Sequence, residues 1–175
     1  DDPNEMGDNL PTVSLGSGRT AVKIAVGGDN SCAILDNADV KCWGTNSSGE
    51  LGQGDTQDRG GAPDDMGDAL HPIDLGSGRT VVDLGIGWSG HMCALLDNAS
   101  VKCWGEGWGG ALGLGGTRNR GDDPGEMGDE LPTVGLGAGR SVLQLAVGDI
   151  HNCALLDDHS VKCWGWNEEI GRAHV

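Results

Sequence analysis

Six cysteines are the residues whose type and spacing are best suited to chemistry. They form three pairs whose members stand ten positions apart: Cys32 with Cys42, Cys93 with Cys103, and Cys153 with Cys163. The midpoint of each pair falls in a tight turn between two strand-like segments, so the partners would lie opposite each other in an antiparallel hairpin. Opposed residues of this kind are close enough to form a disulfide. The spacing predicts three disulfides, each within one hairpin, and an oxidising compartment.

Three other uses of the cysteines stay open on the sequence alone. Free thiols also pack in cores as small apolar groups. Zinc is a second option, because His91 and His151 each lie two residues before a cysteine. Asn30 stands at that position before the first pair, however, and no fourth ligand is evident. A cysteine–histidine nucleophile would need an accessible thiolate, whereas these cysteines are repeated, paired and expected to be buried.

Carboxylates are the second group of residues that could take part in chemistry. They cluster before each Leu-Pro or equivalent dipeptide, at Asp1, Asp2, Glu5 and Asp8, at Asp64, Asp65 and Asp68, and at Asp122, Asp123, Glu126, Asp129 and Glu130. Carboxylate oxygens suit calcium, but no EF-hand loop or calcium-binding nonapeptide is present. A solvated acidic loop is the favoured interpretation, and weak divalent-ion binding stays open. Arg19, Arg79 and Arg140 are expected to pair with these carboxylates in a structural role.

The groups recur because the chain contains three copies of one unit. Met-Gly-Asp, Leu-Gly-x-Gly-Arg and Val-Lys-Cys-Trp-Gly each occur three times, in the same order and every 60 or 61 residues. A period of this size is typical of an array or closed ring of supersecondary units. The units are predicted at 1–60, 61–121 and 122–169, with one extra residue in the second copy at 87–90.

Each unit contains four short strand candidates, which in the first copy are 12–15, 21–26, 31–35 and 40–43. The second candidate should place alternate apolar residues on one face. The three sets are Val22, Ile24 and Val26; Val82, Leu84 and Ile86; and Leu143, Leu145 and Val147. The third candidate is apolar on both faces, as in a sheet stacked between two others. The pattern predicts an all-β fold of four-stranded antiparallel propeller blades.

Two further patterns refine the predicted blade. The small residues Ala25, Gly85 and Ala146 lie within the second strand, where a neighbouring sheet would approach closely. The pair Asp36-Asn37 and its equivalents stand between the third and fourth strands, and Asx residues tolerate the left-handed conformation of a tight hairpin.

The unit resembles a known repeat family. Residues 40–54 read VKCWGTNSSGELGQG, and residues 101–115 read VKCWGEGWGGALGLG after HMCALLDNAS. This is similar to the regulator of chromosome condensation repeat, with an Ile-Ala-x-Gly strand, His-x-x-Ala-Leu, a turn, Val-x-x-Trp-Gly and a Gly-Gln-Leu-Gly loop. The matching residues are Ile24, Ala25 and Gly27; His151, Ala154 and Leu155; Val161, Trp164 and Gly165; and Gly49, Leu51 and Gly52. The resemblance implies a seven-bladed propeller, of which this chain would hold about three blades.

The chain departs from that family in two respects. The paired cysteines are similar to a subset of these repeats that look secreted or surface-exposed. The insertion with which the family's nuclear exchange factor contacts a Ran-type GTPase has no counterpart among three units of nearly equal length. Nucleotide exchange would therefore rest on fold analogy alone.

Histidines and tryptophans are assigned by their place in the unit. His91 and His151 are expected to hydrogen-bond to the backbone near a strand start. Trp43, Trp104 and Trp164 are expected to fill the gaps between blades. Trp88, Trp108 and Trp166 lie outside the repeat pattern. Trp88 and Trp108 stand in glycine-rich loops and are the candidate partner contacts, although filling the core is an equally good interpretation of each.

The favoured function is a non-catalytic scaffold, extracellular or lumenal, that binds a protein or glycan partner. No dry carboxylate pair, Ser-His-Asp arrangement or phosphate loop can be argued, so no catalytic residue, metal ligand or cofactor is expected. The alternatives are an exchange factor for a small GTPase and an accessory module of a larger enzyme. The net charge of −16 argues against nucleic acid and anionic membranes, and no stretch is apolar enough for membrane insertion.

The chain ends are expected to be artificial. Residues 170–175 match nothing in the other units and resemble a translated sequencing adapter, so they are given no functional role. Three blades cannot close a ring, and the remaining blades of the same parent chain are the expected neighbours.

Overall fold

The structure, a computed structural model, describes residues 6–167, which form three antiparallel sheets of three strands each. The strands are β1 (Ala21–Gly27), β2 (Asn30–Leu35), β3 (Val40–Gly44), β4 (Val81–Ile86), β5 (His91–Leu96), β6 (Val101–Gly105), β7 (Val142–Val147), β8 (His151–Leu156) and β9 (Val161–Gly165). Four single 3-10 turns accompany them: Gly7–Asn9, Pro63–Asp65, Trp108–Gly110 and Gly128–Glu130. The predicted all-β fold is confirmed, and none of the helices in the described part is long and apolar enough to span a bilayer. The expectation for residues 170–175 lies outside the described residues.

The fourth strand predicted for each unit is wrong. Residues 12–15 and their equivalents form no strand in their own unit. Instead, the equivalent segment of the next unit runs along the outer edge of the preceding sheet. Ile73 N donates to the Val40 carbonyl (2.8 Å), and Val134 N donates to the Val101 carbonyl (2.8 Å). The first and second sheets are therefore each bordered by a segment of the next unit, which interlocks consecutive units.

The hairpin between the second and third strands of each sheet has a three-residue loop. Leu35 N donates to the Asp39 carbonyl (2.8 Å), and Ala38 N donates to the Leu35 carbonyl (2.9 Å). The left-handed residue is the third of the loop, namely Ala38, Ala99 or His159, and not the predicted Asx residue. Asp36 instead accepts a hydrogen bond from Thr20 N (3.2 Å).

A β-bulge in each of β1, β4 and β7 places their apolar side chains on different faces from those predicted. The register shifts between Ala21 and Lys23 and at the equivalent positions of the other two sheets. An extra residue in a strand turns the following side chains to the opposite face. Val82 and Leu143 are consequently exposed, whereas Leu84 and Leu145 are buried. Val22, Val82 and Leu143 therefore do not share a face with the other two apolar residues of their strands, contrary to the prediction.

Two apolar clusters hold the sheets together, one between each neighbouring pair. The first joins Cys32, Ile34, Val40 and Cys42 to Leu84, Ile86, Met92, Ala94 and Trp104. The second joins Cys93, Leu95, Val101 and Cys103 to Val142, Leu145, Ala154 and Leu156. The cysteine-bearing face of one sheet thus packs on the tryptophan-bearing face of the next, and β5 is buried along its whole length. At Gly85, a Cβ would overlap Val147 Cγ2, in agreement with the predicted close approach.

The outermost faces of this stack are uncovered within the described residues. On the first sheet, Ile24 is 71% exposed, whereas the equivalent Leu84 is 8% exposed. On the third sheet, Val161 is 63% exposed, whereas Val101 is 1% exposed. The uncovered face of the first sheet is its tryptophan-bearing face, and that of the third sheet is its cysteine-bearing face. Faces of these two kinds pack against each other twice inside the chain.

The three sequence markers of the repeat meet at the junction between units. Lys41 of Val-Lys-Cys-Trp-Gly donates from Nζ to the Leu15 carbonyl (3.0 Å) and to the carbonyl of Gly67, in Met-Gly-Asp (2.7 Å). The Asp68 carboxylate of the same marker accepts from Ser17 N (2.8 Å) and Oγ (2.6 Å). Lys102, Gly128, Ser77 and Asp129 repeat this arrangement at the next junction. The markers therefore recur because they lock one unit to the next.

Candidate interaction surface

The tryptophans that lie outside the repeat pattern are found at one end of the stack of sheets. In a sheet of three antiparallel strands, the first connection and the exit from the third strand lie at the same end. We call this the exit end. Trp88 lies in the β4–β5 loop, Trp108 follows β6, and Trp166 follows β9. All three non-repeat tryptophans thus lie at the exit end.

Trp108 and Trp166 form a pair across two units. Their ring centroids are 4.9 Å apart and their planes are inclined by 54°. Trp108 remains 50% exposed. Gly109 lies between them with φ of +65°, and a Cβ there would lie 2.9 Å from Trp166 Cβ and 3.1 Å from Ile150 Cγ2. A larger residue at 109 would be strained and would displace Trp166.

Trp88 is joined to this pair by the β7–β8 loop. Ser89, its neighbour, donates from Oγ to the Asp149 carbonyl (2.8 Å). On the other side of that loop, Trp166 N donates to the Ile150 carbonyl (3.0 Å). Trp88 itself is 76% exposed. We call Trp88, Trp108, Asp149, Ile150 and Trp166 the tryptophan surface.

Carboxylates border this surface. Glu106 Oε1 accepts from Trp108 N (3.0 Å), and its Oε2 accepts from Ser48 Oγ (2.8 Å). Glu50 is nearly buried, and its Oε2 accepts from Ser48 N (2.7 Å). Desolvation raises the pKa of Glu50, and the neighbouring charges of Glu106 and Asp58 add to that shift. With the exposed Asp149, these residues place carboxylates beside the tryptophan surface.

A buried histidine ties the second sheet to the third behind this surface. His91 lies at the start of β5 and is fully buried, with Nε2 3.0 Å from Asn152 Oδ1. Asn152 Nδ2 in turn donates to the Ala111 carbonyl (2.8 Å), so Nε2 of His91 is the protonated nitrogen. Burial lowers the pKa of His91. The prediction of a backbone partner is wrong here, because His91 contacts a side chain of the next unit.

His151 begins β8, the equivalent position in the third unit. Its Nδ1 is buried and has no hydrogen-bond partner among the described residues. The predicted backbone bond is therefore not found at this nitrogen.

The repeat tryptophans face the preceding unit. Trp104 is fully buried, and its Nε1 donates to the Glu50 carbonyl (2.8 Å). Trp164 Nε1 donates to the equivalent Ala111 carbonyl (3.1 Å). The structure thus places both indoles between sheets, as expected. Trp43 is half-buried on the uncovered face of the first sheet.

The structure joins the cysteines as predicted. The pairs are Cys32–Cys42, Cys93–Cys103 and Cys153–Cys163, and in each the two Cα atoms are 4.1 Å apart. The partners are directly opposed in the strand register. Within residues 6–167 there is no group of three or more His, Cys, Asp or Glu side chains that could hold a metal ion.

Among residues 6–167, the three arginines of the Leu-Gly-x-Gly-Arg marker have partners other than the predicted acidic segments. Arg19 and Arg79 pair with Asp36 and Asp97 at 3.6 and 3.4 Å, in the hairpin loops. Arg140 likewise pairs with the hairpin carboxylates Asp157 and Asp158. The side chains involved are about two-fifths exposed, so each pair contributes little to stability.

The sequence did not identify Trp166, Asp149 and Ile150 as parts of the tryptophan surface. Trp166 could have been found from its position, because Thr45 and Glu106 are its equivalents in the other units. Asp149 and Ile150 carry no such signal, since they reach the surface only through contacts between units.

The comparisons with known sequences agree on one repeat. A family model described as "Regulator of chromosome condensation (RCC1) repeat" matches residues 21–50 and 142–169. Ultraviolet-B receptor UVR8 of Arabidopsis thaliana is 29% identical over 150 residues, covering 86% of this chain and 30% of UVR8. E3 ubiquitin-protein ligase HERC2 of Homo sapiens is 28% identical over 178 residues, covering 94% of this chain and 3% of HERC2. The chain thus spans less than a third of these relatives.

Solved structures show the same architecture. Human WBSCR16 matches with a TM-score of 0.63 and 24% identity, covering 86% of this chain and 35% of that one. Yeast RCC1 (Prp20), in its complex with Kap60, matches with a TM-score of 0.60 and 20% identity, covering 87% and 31%. At these identities the likeness concerns the fold alone. The sheets, the repeat markers and the comparisons all point to one unit: residues 21–50 and 142–169 match the regulator of chromosome condensation (RCC1) repeat, and the fold is that of RCC1-type β-propeller blades.

Proposed function

We propose that the protein is a non-catalytic β-propeller scaffold that binds a protein or glycan partner through the tryptophan surface. The observation that carries the proposal is the exposure of Trp88 and Trp108. The repeat residues, by contrast, are engaged in holding units together, as Lys41 and Trp104 are. Tryptophans are enriched among the residues that dominate binding energy at interfaces. Large exposed indoles on a rigid frame are therefore suited to partner contact.

The proposed location is extracellular or in the lumen of the secretory pathway. Its support is the set of three disulfides within residues 6–167, because such bonds persist in oxidising compartments. Free thiols in protein freshly isolated from its source would contradict this location.

Two alternatives lead to different measurements. An exchange factor, the alternative from family resemblance, would release labelled nucleotide from a small GTPase, and we expect no acceleration. An accessory module of a larger enzyme is the alternative that the HERC2 match favours, since that match covers 3% of a ubiquitin ligase. An open reading frame that continues into an enzyme domain would support that alternative.

Binding through the tryptophan surface is tested by screening the protein against secreted proteins and glycans. The dissociation constant of each ligand is then compared between the wild type and a Trp88→Ala/Trp108→Ala variant. Leu143→Ala is the matched control, because Leu143 is also an exposed apolar residue but lies near the opposite end of β7. We expect the double tryptophan variant to weaken binding by about tenfold or more and the control to leave it unchanged. Equal affinities in all three proteins would refute the proposal.

A further inference from the structure

The tryptophan surface combines aromatic faces with carboxylates. Asp149 is exposed in the loop between Trp88 and the Trp108–Trp166 pair. The Glu106 carboxylate accepts a hydrogen bond from the backbone of Trp108 and is held beside it. A cation placed over an indole face within about 6 Å is attracted by the ring, and a nearby carboxylate adds to that attraction. Guanidinium and ammonium groups are the ligands that this combination favours.

Most of the chain's own cations are engaged with carboxylates or backbone carbonyls. Within residues 6–167, lysines and arginines pair with carboxylates or backbone carbonyls at Arg19, Lys23, Lys41, Arg59, Arg79, Lys102, Arg120, Arg140 and Lys162. Arg118, whose carbonyl lies against Gly107 next to Trp108, is exposed and forms no ion pair among these residues. The chain has 27 acidic against 11 basic residues. Complementary positive charge must therefore come mainly from a partner.

We propose that the tryptophan surface binds an extended, basic peptide segment of a partner protein. Arginine or lysine side chains of that segment stack on Trp88 and Trp108, and Asp149 and Glu106 balance their charge. Arginine fits better than lysine, because its planar guanidinium stacks on aromatic rings and bonds carboxylates in a fork. This inference rests on the proposed function and narrows its protein-or-glycan partner to a basic polypeptide.

The test uses a labelled peptide of five Arg-Ser repeats, with five Glu-Ser repeats as the negative control, and follows fluorescence anisotropy. Trp88→Ala/Trp108→Ala changes no charge, and we expect it to raise the Kd of the arginine peptide by about tenfold, as two cation–π contacts would. Asp149→Asn should also weaken binding. Glu130→Gln removes the same charge from the exposed 3-10 turn Gly128–Glu130 and should weaken it much less. Quenching of intrinsic tryptophan fluorescence by the unlabelled peptide should disappear in the double variant.

Three outcomes would overturn the inference: no binding to the wild-type protein, equal binding to the double tryptophan variant, or equal effects of the substitutions at Asp149 and Glu130. The last two would mean that the peptide is attracted by net charge alone. Circular dichroism spectra and melting curves matching the wild type show that the variants are folded. A neutral protein or a glycan that loses binding in the double tryptophan variant would leave the proposed function standing while this inference fails.

Discussion

The second and third disulfides close loops of equal length but differ in burial, so comparing them separates the two contributions to stability. Cys93–Cys103 and Cys153–Cys163 both link residues ten positions apart with Cα atoms 4.1 Å apart. Cys93 and Cys103 are fully buried between two sheets. Cys153 and Cys163 are only half-buried, because their face is uncovered within the described residues. Replacing each pair by alanines therefore opens equal loops in different surroundings.

The chain-entropy model gives about 2.8 kcal/mol for opening a loop of about 11 residues, and this contribution is the same for both pairs. Deleting a buried sulfur costs about 1 kcal/mol more in lost packing, so the two buried sulfurs of Cys93–Cys103 add about 2 kcal/mol. We expect a loss of about 5 kcal/mol for Cys93→Ala/Cys103→Ala and about 3 kcal/mol for Cys153→Ala/Cys163→Ala.

Urea unfolding followed by tryptophan fluorescence measures both losses as differences in the free energy of unfolding. Circular dichroism must give the same transition, because arrays of repeats do not always unfold in one step. Equal losses would refute the assignment of Cys93–Cys103 to a packed interface. No loss in either variant would refute the claim that these loops are closed in the native chain.

Three further predictions follow from buried or uncovered positions. Burial lowers the pKa of His91, so the stability contributed by the neutral side chain is complete above 6.5, the pKa of histidine in the unfolded chain, and falls as the pH drops below that value. His91→Gln should therefore make the urea midpoint less dependent on pH between about pH 7.5 and 5. Gly85→Val should destabilise the chain by about 1–3 kcal/mol through overpacking between sheets, whereas Gly135→Ala, where a Cβ meets no atom within 4 Å, should be nearly neutral in the same assay. The uncovered faces at Ile24 and Val161 should make residues 1–175 self-associate head to tail; sedimentation equilibrium should show oligomers that Ile24→Lys abolishes, and a wild-type monomer would contradict this.

The repeat period and the cysteine spacing were sufficient to predict much of the fold. Both are local patterns: a hairpin of fixed length opposes Cys32 and Cys42, and a unit of about 60 residues cannot bury its apolar faces alone. The sequence therefore predicted antiparallel hairpins, stacked sheets and buried repeat tryptophans such as Trp104.

The rest depends on contacts that no single unit contains. The bulge beside Val82 alters which side chains are buried, yet nothing in the alternation of residues marks an inserted position. The segment around Ile73 pairs with the preceding sheet, so its role becomes visible only when two units are joined. Trp166 stands out from the repeat pattern in the sequence, but its pairing with Trp108 was not predicted, because Trp108 belongs to another unit. Local sequence patterns predict the strands, whereas the residues of the tryptophan surface are brought together only by packing between units.

Photo-crosslinking from defined positions tests the central claim, that partners bind at the exit end, most directly. A photoreactive amino acid replaces Asn167, which is exposed next to Trp166 at the exit end, in one protein and Asn98, in the hairpin loop at the opposite end of the second sheet, in another. Each protein is irradiated with the fluids or membranes of its natural source, and the adducts are identified by mass spectrometry. We predict a saturable adduct with one polypeptide from position 167 and none from position 98. The same adduct from both positions, or from position 98 alone, would contradict the account.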